Sequence, residues 1–323
     1  MSNIKYGVSL YSFSADYYSK HMSIEDILVE VKKLGYQGIE IVAAQMVPGY
    51  PYPSDEWLAY FKFLLEKHGL VGNCWSAYID SGIQAKRTLS KREIINFTVN
   101  DLICAKKAGF NLVRTQHAIS PEIMREMIPF CKKQNMRLAV ELHAPHHPLV
   151  PVWKDGFLPL FRGEGRGVLG VVPDCSIFQR YPHRLFLESA IEDGCRSDIV
   201  EQIRNAHRMG NSLDSCLKMD LSEKEQNFAK DMYDRFCEPC HVEQIPELMD
   251  VAFYVHGKFY YLDEGSFDES IPYEEVLPAI AATGYNGFIA CEYEGHHYSD
   301  TLNTSIMLKR YMDMNQRIFA NLC

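Results

Sequence analysis

Strand-like apolar runs alternate with amphipathic helical patterns from one end of this 323-residue chain to the other. Such alternation is typical of successive βα units around a parallel sheet. Four helical patterns begin directly after Ser23, Ser54, Ser90 and Ser120, which are good helix caps, and Pro121 occupies a first turn. The predicted strands are residues 6–11, 38–43, 71–78, 112–116, 137–142, 168–174, 251–257 and 287–294.

One helix-to-strand junction occurs three times, in residues 32–42, 106–116 and 281–292. Each copy ends a helix with Gly and an aromatic residue and enters a strand within a few positions. Together with eight strands, this echo predicts an α/β fold of the (β/α)₈ TIM-barrel class. An open doubly wound sheet would have no reason to carry polar residues at so many strand ends. We therefore expect a single domain over residues 1–323.

Residues 179–250, between the sixth and seventh strands, break this rhythm. They are too many for one crossover helix, and their pattern predicts two or three helices. Insertions in such barrels usually occupy the βα loops over the active-site face. We interpret this segment as a helical insertion on the catalytic face, serving as a lid or a partner-docking element.

Charge and composition exclude some classes of function. The net charge of -9, with no Lys/Arg run, argues against nucleic-acid binding. No apolar stretch approaches the roughly 18 residues of a membrane span, and the N-terminus lacks a signal-peptide pattern, so we expect a cytoplasmic protein. Cys237 and Cys240 form the one tight cysteine pair. Without a second pair at zinc-site spacing, we interpret them as thiols of the helical insertion.

The last four predicted strands end in Glu141, Asp174, His256 and Glu292. In a barrel these groups would meet at the mouth, where like charges without a cation would repel one another. Taken singly, each could be an exposed loop residue or a hydrogen-bonded structural group. Their occurrence on four consecutive strands instead predicts a site for Mn²⁺ or Mg²⁺ with positions left for substrate oxygens.

Residues two positions beyond a ligand share its side of the strand, which adds His143, Lys258 and Glu294 to the mouth. His143 could act as a base, and Lys258 could hold an oxyanion or a sugar hydroxyl. Glu294 could support a ligand through a hydrogen bond. A plainer alternative is that Lys258 and Glu294 only pair across neighbouring strands.

The earlier strands contribute further candidates for the pocket wall: Glu40, Trp75, Gln116 and His117. Trp75 could stack on a ring-shaped substrate or belong to the core. A metal with carboxylates on opposite walls suits proton abstraction beside a carbonyl, because the cation polarises the carbonyl while a side chain moves the proton. The sequence has no Gly-rich phosphate loop and no Ser-His-Asp ordering of note.

The order Glu, Asp, His, Glu on strands five to eight resembles the xylose isomerase-like TIM barrels, which include sugar isomerases and epimerases. That resemblance implies that Glu141 and Glu292 also shuttle the proton. Residues 256–264 and 270–295 look like the catalytic α subunits of bacterial C-glycoside deglycosidases. Those barrels pair with a small β subunit and cleave the carbon–carbon bond between sugar and aglycone after the sugar is oxidised to its 3-keto form.

The leading hypothesis is therefore a Mn²⁺- or Mg²⁺-dependent lyase that acts on a 3-keto C-glycoside, with His143 as the candidate base and a small β subunit as a possible partner. A metal-dependent sugar isomerase or 3-epimerase that uses the same ligands is the first alternative. The second, a non-catalytic sugar-binding barrel, is weakened by the complete ligand set.

Overall fold

The computed structural model describes residues 4–116, 119–236 and 239–322. Within these ranges the chain forms an eight-stranded parallel sheet, with strand order β6-β5-β4-β3-β2-β1-β8-β7. The predicted strands are confirmed in number and order. Their bounds are β1 Lys5–Ser9, β2 Gly38–Val42, β3 Val71–Ser76, β4 Leu112–Thr115, β5 Arg137–Leu142, β6 Leu169–Pro173, β7 Val255–Phe259 and β8 Phe288–Tyr293.

The sheet curls into a nearly closed barrel. Strands β6 and β7 are joined by two isolated parallel bridges, Val171 to Ala252 and Asp174 to His256, rather than by a continuous ladder. The seventh strand begins at Val255, four residues later than the sequence pattern indicates. The residues before it still contact β6, because the amide of Val171 donates to the carbonyl of Val251 at 3.0 Å.

Helices surround the barrel, and serine caps explain where many of them begin. The side chains of Ser23, Ser54, Ser90 and Ser120 each accept a backbone N–H three residues on, so the first turns are satisfied as the sequence predicts. The helices are α1 Ser14–Tyr18, α2 Ile24–Lys33, α3 Ala43–Met46, α4 Asp55–Lys67, α5 Lys91–Lys107, α6 Pro121–Gln134, α7 Leu158–Arg162, α8 Arg184–Glu192, α9 Ser197–Arg208, α10 Leu213–Cys216, α11 Glu223–Arg235, α12 Ile245–Met249, α13 Tyr273–Ala282 and α14 Thr304–Ala320. Short 3₁₀ or π turns are Leu10–Phe13, Val152–Phe157, Cys175–Phe178, Val242–Gln244 and Gly295–His297.

A small apolar layer fills the middle of the barrel interior, and the next inward-facing side chains along each strand lie above it. Its buried members come from six different strands or strand ends: Cys74, Leu112, Ala139, Val172, Tyr254 and Ala290. Side chains two residues further along a strand share its inward face. The inward residues of the next layer are Ser76, Arg114, Glu141, Asp174, His256 and Glu292. Five of these six can carry a charge.

The segment between β6 and β7 folds as helices α8 to α12, and most of them share an apolar cluster of their own. Three contacts tie the segment to the barrel mouth. The ring of His183 stacks on Tyr260, just beyond β7, with 4.0 Å between centroids. Arg180 makes two hydrogen bonds to the carboxylate of Glu275 at 2.7 and 2.8 Å, and Tyr298 packs against the apolar cluster. The role of this segment as a lid or a partner-docking element on the catalytic face stays a prediction.

Two smaller sequence predictions concern cysteines and membranes. Cys240 is buried and donates from Sγ to Oε1 of Gln244 at 2.8 Å, whereas Cys237 lies outside the described residues. Throughout the part of the chain that the structure describes, every helix is too short or too polar to traverse a lipid bilayer.

A glycine at the centre of β7 offers a test of this packing. A Cβ atom at Gly257 would clash with the hydroxyl oxygen of Tyr311 on α14. We expect Gly257→Ala to destabilise the fold by about 1–3 kcal/mol, measured by urea unfolding, because the buried Tyr311 ring must shift to make room. Gly82→Ala is the matched control, since its Cβ would meet only Asp80 Oδ1, at 3.5 Å. Equal stability of the two variants would contradict the close contact.

Candidate metal centre

Four side chains from four neighbouring strands or strand ends converge just above the apolar layer: Glu141, Asp174, His256 and Glu292. Each is at most 3% exposed. One potential ligand atom from each lies within 4.8 Å of the others. The His256 Nδ1 atom lies 2.6 Å from Glu141 Oε1 and 3.5 Å from Glu292 Oε2. The structure therefore brings together the four residues that the strand-end pattern singled out.

Burial and mutual charge perturb these groups strongly. Burial acts to raise the pKa of Glu141, but Arg114 and His256 outweigh it and hold that pKa well below its usual range. Burial acts to lower the pKa of His256, but Glu292, Glu40 and Glu141 outweigh it and raise that pKa well above its usual value. Glu292 differs, because burial dominates and raises its pKa to about 8. A cluster of perturbed groups in one place is typical of a functional site.

The oxygens of this cluster are incompletely satisfied. Lys258 Nζ lies 2.9 Å from Asp174 Oδ2, 3.1 Å from Glu294 Oε1 and 3.5 Å from Glu292 Oε2. These ion pairs leave Asp174 Oδ2 and Glu292 Oε2 buried without a well-directed hydrogen bond from the described residues. Buried carboxylate oxygens that are balanced only in this way, beside an imidazole, fit a divalent cation. Lys258 also pairs with Glu294, as the plainer alternative expects. This pairing is compatible with a role of Lys258 in binding a substrate oxygen.

A cavity of about 390 Å³ opens above the cluster. This volume lies within the usual range for small-molecule sites. Glu141 and Glu292 reach its floor, whereas Asp174 and His256 lie deeper. Of the other predicted residues, His143, Lys258, Glu294 and Gln116 line the wall. Gln116 Nε2 also donates to Glu141 Oε2 at 3.3 Å.

His143 has a defined tautomer at this wall. Its Nδ1 atom lies 2.7 Å from the carbonyl oxygen of Ala144. A carbonyl can only accept, so Nδ1 must donate, and in the neutral ring the lone pair lies on Nε2. This contact fixes the orientation of the half-buried imidazole at the cavity wall.

Trp75, which the sequence offers as a possible pocket residue, does not join this set. Trp75 is fully buried, donates from Nε1 to Asp101 Oδ1 at 3.1 Å and packs edge-on against Phe110. Because its neighbours Cys74 and Ser76 face the barrel interior, alternation along β3 turns Trp75 toward the helical layer. Its predicted role in stacking on a substrate therefore has no support from its position. His117 lies outside the described residues.

Sequence reasoning missed Arg114 and only partly placed Glu40. Arg114 is 5% exposed and points inward from β4, where Nη1 donates to Glu141 Oε2 at 3.0 Å. Glu40 is fully buried on β2 beside His256, rather than on the pocket wall. The signal for Arg114 was its position between Leu112 and Gln116, since the three alternate residues share one face.

Comparison with known proteins places this geometry in context. Residues 28–311 match the family of xylose isomerase-like TIM barrels. The 3'-dehydrocarminate deglycosidase alpha subunit of a Microbacterium species is 27% identical, over 98% of this chain and 95% of that protein. The C-glycoside deglycosidase alpha subunit of Microbacterium trichothecenolyticum is 26% identical, over 91% of this chain and 84% of that protein.

Solved structures share the fold at low identity. D-psicose 3-epimerase from Clostridium cellulolyticum H10 superposes with a TM-score of 0.61 at 13% identity, covering 98% of this chain and 99% of that one. A xylose isomerase-like TIM barrel protein from Mycobacterium smegmatis, solved in complex with magnesium, superposes with a TM-score of 0.56 at 13% identity and full coverage of both chains.

Metal binding at the cluster should be visible as a change in thermal stability. Addition of Mn²⁺ or Mg²⁺ is expected to raise Tm, because a ligand at 100 times its Kd stabilises the folded state by about 2.7 kcal/mol. A chelator should reverse the shift, and Asp174→Asn should abolish it. Asp101→Asn is the control, since Asp101 is a buried carboxylate bonded to Trp75 and Tyr50, outside the cluster. If neither ion changes the Tm of the wild-type protein, the four groups do not bind a cation.

Proposed function

Because this chain belongs to the xylose isomerase-like TIM barrel family, we propose that it is a divalent-metal-dependent enzyme that removes a proton beside a sugar carbonyl. The observation that carries the proposal is the convergence of Glu141, Asp174, His256 and Glu292 on one point beneath a cavity. The cavity volume suits a small-molecule substrate, and the cavity wall carries both acidic and basic side chains.

The more specific proposal is cleavage of the carbon–carbon bond of a 3-keto C-glycoside, with release of the aglycone. Its support is the pair of Microbacterium relatives, which are named deglycosidase alpha subunits and align with this chain over nearly its whole length. Those names also support a partner. We therefore propose that a small second subunit joins this chain, as expected from the resemblance of residues 256–264 and 270–295.

The four ligands would hold Mn²⁺ or Mg²⁺, the ions that suit three carboxylates and one imidazole. When bound, such an ion polarises a ketone and makes the neighbouring C–H bond more acidic. Glu141 and Glu292 reach the cavity floor, so a keto sugar seated there would present its carbonyl to the centre. Gln116 and Lys258 line the wall and offer donors for its hydroxyl or carbonyl oxygens.

His143 is the proposed base. It lines the cavity, two residues beyond Glu141, and the contact of its Nδ1 atom with the carbonyl oxygen of Ala144, at 2.7 Å, orients the ring at the cavity wall. In the proposed reaction Nε2 takes the proton from C2 of the 3-keto sugar. The electron pair of that bond forms a C1–C2 double bond as the bond from C1 to the aglycone breaks. The aglycone carbon then takes up a proton, and release of the proton held by His143 balances the step.

A sugar isomerase or 3-epimerase is the alternative proposal. It is favoured by the presence of both Glu141 and Glu292 on the cavity floor, where one carboxylate could remove a proton and the other return it. The same cluster would serve. A non-catalytic sugar-binding barrel would not require the complete ligand set.

Product analysis distinguishes these proposals. The metal-loaded protein, purified with any small protein that accompanies it, is incubated with a 3-keto C-glucoside of an aromatic aglycone. We expect free aglycone, detected by chromatography, and none from the unoxidised C-glucoside, whose C2–H bond lacks the neighbouring carbonyl. Conversion of free ketoses to their epimers without aglycone release would favour the alternative. Absence of both reactions would contradict an enzymatic role of this kind.

The role of His143 is tested by substitution. His143→Gln should lower kcat by about 10²- to 10⁴-fold, the usual contribution of a positioned base. The metal-induced rise in Tm should survive, since His143 is not one of the four ligands. His147→Gln is the matched control, because His147 belongs to the same loop and accepts the amide of Leu149. Full turnover by His143→Gln would assign the base to another group.

A further inference from the structure

Four buried side chains, two of them proposed metal ligands, form a closed ring of alternating charge. Arg114 Nη1 lies 3.0 Å from Glu141 Oε2, and Glu141 Oε1 lies 2.6 Å from His256 Nδ1. His256 Nε2 lies 2.8 Å from Glu40 Oε2, and Glu40 Oε1 lies 3.5 Å from Arg114 Nη2. Two members of this ring, Glu141 and His256, belong to the metal cluster. The other two, Glu40 and Arg114, do not.

The orientation of the His256 ring follows from this arrangement. Its Nδ1 atom faces the cluster residues Glu141 and Glu292, while its Nε2 atom faces Glu40. An imidazole that binds a cation through one nitrogen keeps its proton on the other. With Nδ1 as the ligand atom, that proton is on Nε2 and is donated to Glu40.

Glu40 is itself fixed from several sides. Ser9 Oγ donates to Glu40 Oε1 at 2.7 Å, and the guanidinium of Arg114 faces the same oxygen. The side chain is fully buried, so it cannot rotate toward water as an exposed glutamate would. Its carboxylate therefore offers the imidazole one acceptor in one position.

We propose that Glu40 is a positioning residue that selects Nδ1 of His256 as the ligand atom, and that Arg114 completes the device by fixing both Glu40 and Glu141. The inference rests on the metal-binding part of the proposed function and is independent of the substrate. It also explains why ionic groups occupy this depth of the barrel. Buried ion pairs are often no more stabilising than apolar packing of equal volume, so stability alone gives little reason for the ring.

The first test measures affinity without any substrate. Glu40→Gln should raise the Kd for Mn²⁺, determined by titration calorimetry, by about 10- to 100-fold. This is the usual loss of affinity when a hydrogen-bond partner of a metal-binding histidine is altered. The matched control is Glu225→Gln in the helical insertion. Glu225 is also buried and bonded to an arginine, with Arg196 Nε 2.9 Å from Oε1, but it lies outside the ring. This control should lose stability and keep the wild-type Kd.

A second variant separates positioning from folding. Glu40→Leu replaces the carboxylate by an apolar group of similar volume and leaves the Nε2 proton without that acceptor, whereas the amide oxygen of Glu40→Gln can still accept it. The expected order of Mn²⁺ affinity is wild type, then Gln, then Leu. If Glu40 positions the ring, the ¹⁵N shifts of His256 in the Mg²⁺-loaded wild-type protein should show a proton on Nε2. In Glu40→Leu the ring ¹⁵N shifts of His256 should differ from those of the wild type.

The outcomes are separable from those of the reaction itself. Wild-type Mn²⁺ affinity with unchanged ¹⁵N shifts in both Glu40 variants would overturn the inference, even if the enzyme cleaves C-glycosides. Failure to release an aglycone, with the predicted order of affinities intact, would overturn the substrate proposal and leave the positioning role supported.

Discussion

Carboxylates and basic side chains share the upper half of a barrel interior from which water is largely excluded. Charges in such a place are costly unless each faces an opposite charge or a hydrogen-bond partner. Arg114 and His256 compensate Glu40 and Glu141, and Lys258 faces Asp174. The stability of the barrel interior and the proposed chemistry both depend on this compensation, because removal of one partner leaves the other charge buried and unpaired.

The sequence was sufficient for the fold and for the four converging residues because both depend on local periodicity. Alternating patterns define where strands and helices lie, and serines at helix starts define the boundaries. Once a parallel barrel is assumed, strand ends must meet, so Glu141, Asp174, His256 and Glu292 converge without any knowledge of the loops. The rule that residues two apart share a face then placed His143, Lys258 and Glu294 on the cavity wall.

What could not be predicted depends on contacts between distant strands. From the sequence, Trp75 could line the pocket or belong to the core, and only the inward facing of Cys74 and Ser76 shows that its ring turns to the helical layer. Arg114 is unremarkable in its own strand and acquires meaning only beside Glu141 on the adjacent strand β5 and Glu40 on β2, two strands away. The insertion was evident from its length, whereas its attachment through aromatic stacking was not.

Asp174 also links the helical insertion to the junction between β6 and β7. Its Oδ1 atom accepts the amide of Ser176 at 2.7 Å and so starts the turn that leads into the insertion, while its backbone bridges to His256 across the least continuous junction of the sheet. A cation bound by both side chains would cross-link β6 and β7 at this junction. Separation of the two strands, movement of the insertion and dissociation of the ion would then be coupled.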